Sequence, residues 1–248
     1  MQDATFNHER LQVYQAGLRL VGELGGLVGA WDRRHAIADQ LPRAVESIVE
    51  NLAEGCRAHA MKAKHTAVDY SIGSTLECAA CIDVAGVKGL LSHDAVRVYK
   101  RELIGVCRQL VALRDSWTCN AGHESARRQG ARPDDGVFLH EKLDAYQVAL
   151  SFMQWFCGSG SENMPSKVWR RMDADATSIV LNIAEGNGRF AELDQCRFLG
   201  ISNRAAVRLA AQLDICGEKR ILDRNGIAEG KTLLVRVASM TAAMAGKR

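Results

Sequence analysis

Proline is almost missing from this chain: three occur in 248 residues, too few to interrupt long helices. Long apolar runs are missing as well. No stretch approaches the roughly 18 apolar residues of a membrane span, and Met1 to Arg10 is too polar for a secretion signal. The sequence therefore reads as soluble and cytoplasmic, with no membrane partner. Cysteine is not scarce, but a pairing pattern is. The eight cysteines sit at 56, 78, 81, 107, 119, 157, 196 and 216 without matching spacing, which argues against a disulfide framework and for buried small apolar residues. Cys78-Ala-Ala-Cys81 has metal-ligand spacing, with His59 and His65 before it. A zinc site would need a second such pair or a paired His motif. Neither is present, so no metal or cofactor is expected.

What is present is a duplication, and a repeat has to be recognised before a fold is assigned. Ser47-Ile-Val-Glu-Asn-Leu-Ala-Glu-Gly55 returns as Ser178-Ile-Val-Leu-Asn-Ile-Ala-Glu-Gly186, 131 residues on. Phe6-Asn-His-Glu-Arg-Leu11 with Tyr14-Gln15 and Leu18 returns as Phe138-Leu-His-Glu-Lys-Leu143 with Tyr146-Gln147 and Leu150, 132 residues on. Ser74, Asp83 and Val84 fall on Ala205, Asp214 and Ile215 at the first offset. Each unit is large enough to bury a core.

Apolar periodicity gives four helices per unit, and the fold expected is all-α: two tandem antiparallel four-helix bundles. The first covers residues 1–117 and the second 138–248, joined by a linker over 118–137 that is rich in Gly, Asp and Arg. Helices are expected near His8–Val28, Ala36–Ala53, Met61–Val87 and a fourth capped by Ser92. In the second unit they fall near His140–Phe156, Pro165–Gly186 and Ala191–Ile221, followed by an Asn225-Gly226 turn into the last. Pro42 lies inside the second pattern and should kink it or mark a late start. Gly158-Ser-Gly-Ser161 reads as a loop.

Candidate sites follow from spacing. Ser47, Asn51 and Glu54, like Ser178, Asn182 and Glu185, form a polar stripe beside an apolar face. Gly55 and Gly186 are expected to end those helices in a left-handed conformation. The stripe is expected to be structural, bonding a neighbouring helix; a catalytic Ser/Glu pair would need a positioned base or metal too. Gly226-Ile-Ala-Glu-Gly-Lys-Thr232 has three residues between its glycines where a phosphate loop has four, and it follows a helix rather than a strand. His8-Glu9 and His140-Glu141 repeat, which suggests a structural task. No catalytic residue is expected, and the chain reads as a non-enzyme.

The net charge of +3 lies wholly in the second unit, where residues 138–248 hold 15 basic and 12 acidic side chains. Arg197, Arg204 and Arg208 step along one side of its third helix, and Lys167, Arg170 and Arg171 cluster at the start of its second. Their third-helix counterparts in the first unit are Thr66, Gly73 and Glu77. Such a surface can meet phosphates, or its arginines can pair with Glu185 and Asp214.

The Leu-x-x-Tyr-Gln of helix one, the Ser-Ile-x-x-Asn-x-Ala-Glu-Gly of helix two and Gly73-Ser74-x-x-Glu77 of helix three resemble the four helix bundle protein family. That family includes proteins encoded in intervening sequences of 23S ribosomal RNA genes and the accessory protein of diversity-generating retroelements. The resemblance covers both units. It implies single bundles that assemble into five-membered rings, hence a homo-oligomer. Its retroelement member implies binding of RNA and a reverse transcriptase through a basic surface. This chain departs from the pattern in being a tandem fusion and in carrying Arg204 and Arg208 where the first unit keeps Gly73 and Glu77. Two functions follow as expectations: a non-enzymatic accessory protein that binds RNA or DNA, or an oligomeric protein-interaction scaffold that binds neither. Salt dependence of binding separates them.

Overall fold

A computed structural model describes residues 6–119, 133, 136–158 and 164–246. Most of the expected linker and of the 158–161 loop lies outside them. Eight helices occur among the described residues, and no strand: α1 (Gln12–Val28), α2 (Ile37–Arg57), α3 (Met61–Val87), α4 (His93–Cys119), α5 (Asp144–Gly158), α6 (Ser166–Gly188), α7 (Glu192–Glu218) and α8 (Arg224–Gly246). Within each group of four, every helix packs on the next and the first on the last, which makes two four-helix bundles.

The apolar stripes account for the helices. Ile37, Leu41, Val45, Ile48 and Leu52 of α2 are all buried at spacings of four and three, the period of one helix face. Pro42 sits in the second turn and the helix runs through it unbroken. Ser92 caps α4 as expected, its hydroxyl accepting the Ala95 N–H at 3.2 Å.

Several boundaries differ from the expectation. Short 3₁₀ turns, Asn7–Arg10 and Leu139–Lys142, precede α1 and α5, so these helices start at Gln12 and Asp144. Asn225-Gly226 lies inside α8, whose start is capped by Asp223 accepting the Gly226 N–H at 2.7 Å. The chain reverses earlier, at Arg220, which has φ 53°. Gly55 and Gly186 end nothing: α2 continues to Arg57 and α6 to Gly188, and neither glycine has positive φ. Their role is close approach. A Cβ on Gly55 would meet Ala67 at 3.3 Å and Val68 at 3.4 Å, and one on Gly186 would meet the Phe198 Cβ at 3.0 Å. Each glycine thus lets the helix that follows cross near the end of its own.

The third helices are not alike. α7 buries one face, chiefly Leu199, Ser202, Ala205, Ala206, Leu209 and Leu213. α3 is buried continuously from Ser71 to Leu76 and again from Cys78 to Ile82, as a helix covered on both sides must be. Its second cover is the other bundle, through α6 and α5, so the apolar core is continuous across both.

Candidate functional site: the inter-bundle joint and the basic surface

The joint is built at three points along α3. At its C-terminal end, Lys88 Nζ contacts the carboxylate of Asp173 in α6, and the two side chains are 1 % and 0 % exposed. A buried charge pair needs further hydrogen bonds to be tolerated. Asp173 has one from the Ala36 N–H at 2.8 Å, and Lys88 lies 3.4 Å from the Thr177 hydroxyl. His35 lies edge-on to Trp169 at 5.0 Å. Burial, aided by Lys88, lowers its pKa.

At the middle, Lys100 of α4 bridges Asp83 of α3 at 2.7 Å and Glu141 of the second bundle at 2.5 Å. The Tyr146 hydroxyl donates to Asp83 at 2.8 Å. Burial raises the Asp83 pKa against the pull of Lys100. His140 is fully buried between Phe138 and Tyr146, and burial drives its pKa down to about 3, so it is held neutral.

At the third point, Gly188 rests on Leu76 with no room for a methyl group, and the Arg189 guanidinium lies where a Gly73 side chain would be. Arg189 pairs with Glu185 and lies over the rings of Tyr70, 5.1 Å away, and Phe198, 4.8 Å away. Beside it, burial and the Glu185 charge raise the pKa of Glu77 to about 7.

The polar stripes do not form one network, and of the two only that of α6 lies on a helix packed across the joint. Asn51 donates to the Ser47 carbonyl and hydroxyl, and Ser47 Oγ reaches Ser74 Oγ of α3 at 2.9 Å. Asn182 makes the same pair of bonds to Ser178. There the hydroxyl on the third helix is gone, because Ala205 stands where Ser74 does. Glu54 is exposed, whereas Glu185 faces the joint.

The basic candidates form two groups on the surface. Lys167, Arg170 and Arg171 occupy the first two turns of α6 and are all exposed. Arg34 of the α1–α2 loop lies 5.0 Å over Trp169 beside them. Arg197, Arg204 and Arg208 are exposed along α7. Arg208 pairs with Asp175 at 2.5 Å. Asp175 is one turn from Arg171 in α6, so the groups meet on that side. Neither Glu185 nor Asp214 takes an arginine of α7: Glu185 pairs with Arg189 and Asp214 with Lys231.

Arg189, Asp173, Lys88 and Lys100 were not singled out by sequence reasoning. The hydrogen bonds that Asp173 and Lys100 make across the joint join residues 137 and 41 positions apart, beyond any local pattern. A residue-by-residue comparison of the halves is the one available signal, since Gly73 and Glu77 against Arg204 and Arg208 mark where the environments diverge. Cys78 and Cys81 are fully buried in α3, with burial raising both thiols well above their usual pKa. No group of three or more metal-ligating side chains occurs among the described residues, and no helix among them is long and apolar enough to cross a membrane.

A family model described as 23S rRNA-intervening sequence protein matches the chain twice, over residues 9–112 and 141–243. No curated protein and no solved structure matches it.

Proposed function

The chain belongs to the 23S rRNA-intervening sequence protein family, whose unit it contains twice, and on that basis we propose that it is a non-enzymatic, RNA-binding accessory protein. The observation that supports this reading is the start of α6. Acidic side chains stabilise a helix N-terminus and basic ones oppose its dipole. Yet α6 has no acid in its first turn and exposes Lys167, Arg170 and Arg171 over its first two. A placement that costs local stability points to an external anion. Phosphate fits, because the helix dipole and the three cations both favour it.

The test is binding of a structured RNA to the whole chain across a salt series. Affinity should fall as salt rises, and Lys167→Glu/Arg170→Glu/Arg171→Glu should weaken it. The logarithmic salt slope should shrink by roughly 0.7–0.9 for each phosphate that is no longer neutralised. Absence of binding at low salt, or a triple variant that binds like its parent, rejects this surface and leaves a scaffold that does not bind nucleic acid.

A further inference from the structure

At the end of the joint away from Lys88, aromatic rings and cations alternate along one edge of the molecule. Lys64 of α3 lies over the Trp117 ring of α4 at 5.3 Å. One turn back along α4, Arg114 lies over Phe190 at 4.4 Å and pairs with Asp69. Arg189, the neighbour of Phe190 in the chain, lies over both Tyr70 and Phe198, and Arg197 lies 5.9 Å from the Phe198 ring. The band therefore runs from α4 across α3 to α7, over both bundles. A bundle of this kind does not require the rings. In the other copy of the unit, 131 residues away, Tyr70 corresponds to Ile201, Trp117 to Arg248, Phe190 to His59 and Phe198 to Ala67.

The band is layered, with guanidinium groups inside and rings outside. The side chains of Arg114 and Arg189 are 12 % and 9 % exposed, each with a carboxylate partner, whereas Tyr70 is 45 % exposed and Trp117 and Phe198 are half-buried. A buried guanidinium against one face of Tyr70 leaves the other face as the exposed one. It also fixes the ring in one orientation before any ligand arrives. Unpaired charge sits at the two ends. Lys62 and Lys64 open α3, whose first turn has no acid, and Arg197 is exposed on α7. None of the three has a carboxylate partner among the described residues. An acidic peptide would use these cations but not the rings. A nucleobase with its phosphates uses both.

We infer that this band binds unpaired nucleotides of RNA by stacking, one base on the outer face of Tyr70 and another on Trp117, with phosphates near Lys62, Lys64 and Arg197. The inference rests on the RNA reading above and adds the free base to what is recognised. The phosphate surface lies at the start of α6 and the band at its end, roughly 30 Å apart at the rise of a helix. The first meets backbone charge, and the second distinguishes free bases from paired ones.

Fluorescence anisotropy on the whole chain at low salt tests it, comparing a labelled single-stranded oligouridine with the same sugar–phosphate chain lacking bases. Oligouridine should bind roughly tenfold tighter, and both should weaken alike as salt rises, since the bases carry no charge. Tyr70→Leu should lower the oligouridine affinity roughly tenfold, towards that of the baseless chain, and leave the latter unchanged. Tyr70→Phe, which keeps the ring, should bind like the parent. Trp117→Leu provides the same comparison should Tyr70→Leu fail to fold. Lys167→Glu/Arg170→Glu/Arg171→Glu should weaken both ligands and preserve their ratio. Equal binding of the two ligands overturns the inference and leaves the RNA reading standing. So does a Tyr70→Leu chain that keeps the parent's ratio, or a Tyr70→Phe chain that loses it. Absence of binding by either ligand at low salt overturns both.

Discussion

Glu77 lies at the joint beside Glu185, and burial with that second carboxylate holds its proton up to about pH 7, against a usual value of 4.5. A carboxyl that binds its proton more tightly folded than unfolded takes stability away as the pH rises between those values, and the loss is complete above about 7. Glu77→Gln removes the loss. It should raise the stability at pH 8 by roughly 1–3 kcal/mol and leave it nearly unchanged at pH 4, as urea denaturation at both values would show. Arg220 is a second local cost. Its φ of 53° is in the left-handed region, as is the 69° of Gly89, its counterpart in the first bundle. In both, the next residue's N–H closes the helix end, Ile221 to Cys216 at 2.8 Å and Leu90 to Ala85 at 2.9 Å. Arg220→Gly should therefore raise the stability by about 1 kcal/mol, visible as a higher melting temperature. Neither residue stands out in the sequence. Asn225-Gly226 carries the usual turn signal, but Asp223 caps α8 ahead of it and draws both residues into the helix.

Among the helices, the stripes that face one core were legible, because Ile48, Leu52, Ile179 and Ile183 keep the helical period. The glycines that follow were misread for a physical reason. Glycine is favoured both by left-handed ends and by close crossings, and only the position of the next helix tells these apart. The richness of α3 in small residues points to close neighbours, but not to neighbours on opposite sides. Gly188 measures that second contact, because it rests on Leu76 of the other bundle. Gly188→Ala has to push Leu76 aside and should cost roughly 1–3 kcal/mol. Gly246→Ala, with nothing near the added methyl, is the control, and thermal melts of the two variants provide the comparison.

Across the whole molecule, the two-bundle architecture was open to sequence reading because every apolar pattern occurs twice. The joint was not, because each half looks complete when read alone. What reveals it is asymmetry between near-copies. The phenylalanine of the Phe-x-His-Glu module is buried once and exposed once, and Thr177 and Gly73 at the joint become the exposed Glu46 and Arg204 in the other copy.

The closed joint also sets a rule of parity. Two bundles travel on every chain with one contact between them already made, so any assembly of intact chains holds an even number of bundles. The five-membered ring that the family resemblance implies for single bundles cannot be closed by intact chains with every joint filled. Duplication followed by divergence has closed one contact inside every chain and changed the matching faces outside it.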